Sequence, residues 1–287
     1  MRHTSFRLVL SLFFTFGFSL FILSSCKQTQ KGSASIYQRP GPCSGIDDTT
    51  ILCGSYPVFE NRQTNSGRKI DLNIVVIPAV HHNTTRPPLF VIAGGPGSSV
   101  TDGYRFYADE DNVYRQERDV VLVDMRGTGG SNPLHCNQLQ VTENLGDNFK
   151  EMFPANDVRD CFDSLTREND LTQYNSTSMV MDIEEVREWL EYEKISLLGV
   201  SYGGRLAQVY MKMFPQSVMS AMLWSPAPID YKMPLYHARY AQDSMDKLFA
   251  DCKTDPACSA AFPRLREEFY ELKSRAPFLY KDETDKA

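Results

Sequence analysis

Two periodicities alternate along this chain. Residues 70–78, IDLNIVVIP, begin with apolar and polar positions in turn and end as a β-branched run, which predicts an early, half-exposed strand. Residues 89–93, LFVIA, and 119–124, DVVLVD, are apolar nearly throughout, as strands buried on both faces should be. Each opens into a glycine-rich loop, GGPGSS at 94–99 and RGTGGS at 126–131. Residues 175–191 then predict a helix. Met179, Ile183, Val186 and Leu190 recur on one face. Asp182, Glu184, Glu185 and Arg187 take the opposite face, where the acids are expected to be solvated, and Thr177 or Ser178 is placed to cap the start.

A short apolar run, ISLL at 195–198, feeds GVSYGG at 199–204, and Leu206, Ala207, Val209, Tyr210 and Met213 continue at helical spacing. This predicts strand, sharp turn and helix, with Ser201 at the turn. Small residues two before and two after such a serine let strand and helix pass closely, which is the physical content of the G-x-S-x-G elbow. The helix N-terminus behind it favours negative charge at the serine. Residues 218–224, VMSAMLW, predict another buried strand, closing at SPAP. From there 236–249 and 260–274 read as helices with no strand between them, the opening of a helical insertion.

Composition excludes some chemistry. The 287 residues are 42% hydrophobic and 23% charged, enough for one large core or two modest ones, with a net charge of −6 and no basic patch. Nucleic acid is not an expected partner. Neither glycine loop matches G-x-x-x-x-G-K-[ST] or G-x-G-x-x-G, so no phosphate or nucleotide cofactor is expected. The loop after Ala93 instead suits a bare backbone N–H laid beside the serine for an oxyanion.

The N-terminus reads as a targeting segment. Arg2, His3 and Arg7 precede an apolar run at 8–23, shorter than the roughly 20 residues a spanning helix needs. The run ends LSSC, which resembles the lipobox of bacterial lipoproteins, with Cys26 as the lipidated first residue of the mature chain. Residues 27–35, polar and small, read as a tether. The expected location is therefore the cell envelope, anchored to membrane through Cys26 and facing periplasm or exterior. Six further cysteines, an even number in an exported chain, point to disulfides. They fall into three sequence-local couples, so Cys43 with Cys53, Cys136 with Cys161 and Cys252 with Cys258 is the simplest pairing. A zinc site is the alternative, but there is no C-x-x-C and no histidine suitably near a couple.

AGGPGSS at 93–99, DMRGTGGSNPL at 124–134 and GVSYGG at 199–204, in that order and at strand ends, resemble the prolyl aminopeptidase and tripeptidyl aminopeptidase group of serine peptidases. The resemblance covers about 68–226. It implies an α/β-hydrolase fold, a mostly parallel doubly wound sheet, of which this chain is the N-terminal portion. Together with the N-terminal pattern, the expected organisation is a signal peptide at 1–25, a tether and first disulfide region at 26–50, an incomplete core at 51–228, and the start of a helical cap at 229–287. Ser201 would be the nucleophile, and the backbone N–H groups of Gly95 and Tyr202 would form the oxyanion hole. The Arg126 loop would brace the active-site edge. Ala93 departs from the histidine that prolyl aminopeptidases often carry there.

In this fold the triad runs serine, acid, histidine in chain order. His81, His82 and His135 precede the serine, and His237 begins an insertion helix, so none is assigned as base. Asp230 follows the strand ending at Trp224, where some related hydrolases carry their acid. The expected function is an exopeptidase that removes an N-terminal proline or short peptide through an acyl-enzyme on Ser201, nearly inert as this chain stands. The alternatives are an esterase or lipase on the same scaffold, and a surface lipoprotein that binds without catalysis.

Overall fold

The computed structural model describes residues 39–81, 85–136, 139, 151, 153–232 and 235–275. Seven strands form one sheet: β1 (Gly41–Pro42), β2 (Leu52–Phe59), β3 (Lys69–Ile77), β4 (Leu89–Ile92), β5 (Val120–Val123), β6 (Ile195–Val200) and β7 (Val218–Trp224). Their spatial order is β1-β2-β3-β5-β4-β6-β7. The first four in that order pair antiparallel, and β5, β4, β6 and β7 pair parallel. The helices are α1 (Tyr104–Ala108), α2 (Ala155–Leu165), α3 (Ser176–Trp189), α4 (Tyr202–Met213), α5 (His237–Thr254), α6 (Pro256–Ala261) and α7 (Leu265–Ser274). The α/β-hydrolase architecture expected from the motifs is the one observed.

Along the central strands, buried nearly throughout, successive side chains alternate between the two faces of the sheet with the two-residue period of a pleat. Ile70, Leu72, Ile74, Phe90, Ile92, Val121, Val123, Ile195 and Leu197 pack with Met179, Val180, Ile183 and Val186 of α3 and Leu206, Ala207 and Tyr210 of α4. Val75, Ile77, Leu89, Val91, Val120, Leu122 and Leu198 form the opposite face, with Val100, Cys43 and Ile51 against them. β3 is half exposed only at its start, where apolar and polar positions alternate. β2 carries no strand pattern in the sequence, because Gly54, Ser55 and Pro57 interrupt it. It pairs with β3 along its whole length all the same. Gly54 is required there, since a Cβ would stand 2.8 Å from the indole of Trp189.

Three expectations need correction. β7 is not a buried strand: Met219, Met222 and Trp224 are more than half exposed. Its apolar letters match a core strand, but among the described residues only β6 pairs with it. The acids of α3 are not solvated either, for Asp182 and Glu184 are buried. They are polar in type but sit where α3 meets cations and hydroxyls from other elements. The α3 cap is Asn175, whose side chain accepts from the Ser178 N–H, two or three residues earlier than the hydroxyls expected to do so.

Disulfides join Cys43 to Cys53, Cys136 to Cys161 and Cys252 to Cys258, the three couples expected from their spacing. Cys26, His82 and the apolar run at 8–23 lie outside the described residues. Among those described, no helix is long and apolar enough to cross a membrane. Phe90, 1% exposed in the centre of the sheet, gives a direct measure of the core. Phe90→Ala is expected to cost about 3–5 kcal/mol, read as a lowered urea midpoint with an unchanged m value.

Candidate active site

β4 lies at the middle of the parallel strands, flanked by β5 and β6, both later in sequence. The chain leaves it first to one side and then to the other, and such a switch point opens a crevice at the carboxyl ends of the strands. The register sets what meets there. Ile92 pairs with Gly199, so two residues on, Gly94 comes level with Ser201. The two do touch: a Cβ on Gly94 would lie 3.0 Å from the Ser201 Cβ and 3.5 Å from its Oγ. Any other residue at 94 would press on the Ser201 Cβ and, at 3.1 Å, on the Val200 carbonyl oxygen.

Ser201 is exposed and has φ 55° and ψ −116°, a conformation that non-glycine residues adopt only when their surroundings enforce it. Several contacts enforce it. The Ser201 N–H donates to the Trp224 carbonyl at 3.0 Å, and the Ser201 carbonyl accepts from the N–H groups of Gly204 and Ala227, each at 3.0 Å. Close packing excludes side chains around the turn. A Cβ on Gly203 would stand 2.0 Å from the Ile92 carbonyl oxygen, and one on Gly199 would stand 2.6 Å from the Gly203 oxygen. Both small positions of the elbow are thus demanded by atoms of neighbouring backbone.

Tyr202 is the first residue of α4, where backbone N–H groups have no partner within the helix. Its ring reaches back to α3, with the phenol 2.8 Å from the Ser176 hydroxyl. Gly95 continues the loop beyond Gly94 at φ 110°. Gly94, to which the motif assigns no role, lies against the serine side chain. Its signal was the strand register, which no motif states.

Asp124 anchors the far end of that glycine loop. It is fully buried at the end of β5. Its carboxylate accepts from the Val100 N–H at 2.8 Å, the Thr101 N–H at 3.1 Å and the Thr101 hydroxyl at 2.7 Å. The Ser99 hydroxyl at 3.1 Å, the Gly130 N–H at 2.9 Å and the Asn73 amide at 3.1 Å complete its shell. Burial pushes its pKa up, but the Gly130 N–H and the Thr101 and Asn73 donors outweigh that and hold it below the usual carboxylate range. The loop is therefore tied at one end to Asp124 and pressed at the other against Ser201.

Beneath this edge lies a charged network. Arg126, with no exposed surface, donates through Nε to Asp182 at 2.7 Å and through Nη1 to the Glu60 carbonyl at 2.7 Å. Arg62 reaches the same carboxylate at 2.6 Å and Glu185 at 2.5 Å. Two arginines against Asp182 and Glu185 leave the cluster neutral. It binds the end of β2, the loop after β5 and the middle of α3 into one unit, as the bracing role of the Arg126 loop requires. Glu184 closes a second one. It accepts from Arg187 at 2.8 Å, Ser217 at 2.9 Å and Tyr210 at 2.5 Å. Burial pushes the Glu184 carboxyl up, and these donors hold it low.

The histidines stand elsewhere. The His81 N–H donates to the Gln116 carbonyl, and the His237 ring lies 5.9 Å from that of Tyr231. Among the described residues no side chain hydrogen-bonds the Ser201 hydroxyl.

A family model described as alpha/beta hydrolase fold matches residues 87–278. A putative hydrolase, YuaR, of Escherichia coli K12 is 25% identical over 238 residues, 77% of this chain and 47% of that protein. Serine protease Hip1 of Mycobacterium tuberculosis H37Rv is 25% identical over 223 residues, 72% of this chain and 42% of that one. A proline iminopeptidase of Lactobacillus delbrueckii subsp. bulgaricus is 29% identical over 144 residues, covering 50% and 37%. The chain thus spans less than half the length of these relatives.

Asp182→Ala is expected to destabilise the protein by about 3–5 kcal/mol, because it leaves the Arg126 guanidinium buried without a carboxylate and Arg62 with Glu185 alone; urea unfolding measures it. Asp124 should show in the pH dependence. Its folded pKa lies below the unfolded value, so its contribution is fully present above the ordinary carboxylate range and is lost as pH falls through the lower folded value. The stability gap between the natural chain and Asp124→Asn is therefore expected to shrink on acidification below about pH 4 and to stay level above it.

Proposed function

Since this chain belongs to the alpha/beta hydrolase family, we propose that it is a serine peptidase that removes an N-terminal proline or a short N-terminal peptide, with Ser201 as nucleophile. The observation that carries the reading is the exposed serine held at positive φ between β6 and α4, with Gly94 of the β4 loop against it. The peptidase names of the relatives agree with it.

The Ser201 oxygen attacks the carbonyl carbon of the scissile amide, and the hydroxyl proton passes to a base. The negative charge that develops on the carbonyl oxygen is taken up by the N–H groups of Gly95 and Tyr202, at a helix N-terminus whose unpaired amides favour it. Collapse of the tetrahedral intermediate expels the downstream peptide with a protonated amine. Water then releases the N-terminal portion from Ser201. Export and attachment to membrane through a lipid on Cys26 belong to the same proposal, supported by the pattern of residues 2–26.

The 287-residue chain should turn over poorly, because no imidazole is bonded to Ser201 among the described residues. In a comparable serine peptidase, loss of the base costs on the order of 10⁶ in turnover. A fluorophosphonate probe with peptide mapping tests this, and Ser201 labelling at the rate of an intact triad would overturn it. Aminoacyl and peptidyl amides set against short acyl esters test the substrate class. Residual turnover should favour the amides and vanish in Ser201→Ala. Preference for esters would make the protein an esterase, and a function untouched by Ser201→Ala would make it a binding lipoprotein.

A further inference from the structure

Arg205 occupies the first turns of α4, four residues beyond Ser201. Helix physics disfavours a cation there, since the N-terminal end of the dipole is positive. No acidic residue stands in that turn, and Arg205 has no carboxylate partner among the described residues. Its Nε is buried without a hydrogen-bond partner among them as well. What holds the side chain is backbone. Its Nη2 donates to the Pro228 carbonyl at 2.6 Å and to the Tyr231 carbonyl at 2.5 Å.

Those carbonyls belong to the segment that follows β7, and that segment touches the serine. The Ala227 N–H donates to the Ser201 carbonyl at 3.0 Å. Pro226 and Pro228 flank Ala227 and have no N–H of their own. Ala227 is therefore the one donor of the trio, and two fixed φ angles make the stretch stiff enough to pass on a lateral hold. Gly204 presses on Pro226, where a Cβ would stand 2.6 Å from the proline Cβ. Gln208 adds a long bond of 3.4 Å to the Ala227 carbonyl.

We propose that Arg205 is a positioning residue for Ser201: its guanidinium pins 228–231 to α4, keeps the Ala227 N–H on the Ser201 carbonyl, and so maintains the strained backbone that presents the hydroxyl. The inference rests on the reading of Ser201 as nucleophile. Its unpaired positive charge one turn away also favours an anion at the serine. The same hold fixes Tyr231, whose ring packs against His237 and Tyr240 of α5 at 5.9 Å and 6.3 Å. Arg205 thereby sets the start of the helical region against the serine.

Two readouts on the 287-residue chain test this. The first is amide exchange at Ala227, followed by NMR. R205M should speed it about tenfold, the loss of a pair of hydrogen bonds, while amides of β6 and α3 stay as they were. R205K, which keeps a donating cation, should restore it. R205Q keeps one neutral donor and serves where R205M fails to fold, with an intermediate rate expected. A wild-type Ala227 rate in R205M or R205Q, or an equal rise at every amide, overturns the proposal. The second readout is the rate of fluorophosphonate labelling at Ser201. It should fall about tenfold in R205M, a barrier change of the same size as the lost bonds, and recover in R205K. Unchanged labelling beside faster Ala227 exchange overturns the link to reactivity. If labelling of the natural chain is too slow to follow, exchange at Ala227 alone decides the proposal, and a wild-type rate there in R205M or R205Q overturns it.

Discussion

The parallel register of β4 against β6 is the constraint from which the rest follows. Pairing Ile92 with Gly199 brings two chain exits side by side at the same height, one turning into a loop and the other into a helix. Both backbones then compete for the same few ångströms. Glycine at 94, 199 and 203 resolves that competition, because each missing Cβ is replaced by an atom of a neighbouring strand or turn. Ser201 stands alone among them as a residue with a side chain. Ser201 itself stays exposed.

Such a turn cannot hold itself. A serine at positive φ is uphill by about 1–3 kcal/mol, and the neighbouring backbone must repay that by hydrogen bonds and packing. β7 contributes the Trp224 carbonyl, and the segment after it contributes the Ala227 N–H. The glycine loop is fixed in turn by Asp124, and the ground under both is α3, locked to β2 and the β5 loop through Asp182 and its two arginines. Burying these three charges, with Glu185 at the rim, gains little net stability over a well-packed apolar core. It gives direction instead, since carboxylate and guanidinium accept few geometries. The network thus fixes where the loops sit rather than how strongly the domain folds.

Sequence patterning revealed those parts of this arrangement that depend on local neighbours. The strands at 69–77, 89–92 and 120–123, the helix at 176–189 and the strand-turn-helix around Ser201 each carry their own period or punctuation. The cysteine couples were legible because short loops make their pairing local. What escaped depends on partners distant in sequence. Asp182 and Glu184 look like the wet side of an amphipathic helix; Arg62 and Arg126, 120 and 56 residues away, make Asp182 an interior group, and Tyr210 and Ser217 do the same for Glu184 together with Arg187. β2 hid behind Gly54 and Pro57, although Gly54 is there for Trp189. β7 was misjudged in the opposite sense, because apolar letters state a capacity for burial and not the presence of a neighbour.

Exposure and strain therefore divide along the sheet. At its carboxyl edge the structure keeps a polar hydroxyl in solvent and spends packing on holding a backbone that would otherwise relax. A residue distant from that edge can influence it only through groups the turn itself touches. Apolar burial beneath the helix cannot supply this, since it fixes the axis of α4 but not the rotation of one peptide at its N-terminus. Directional bonds to the Ser201 amide and carbonyl can. The short segment from Trp224 to Tyr231 makes those bonds and is itself held by α4, so the elbow and the segment fix one another.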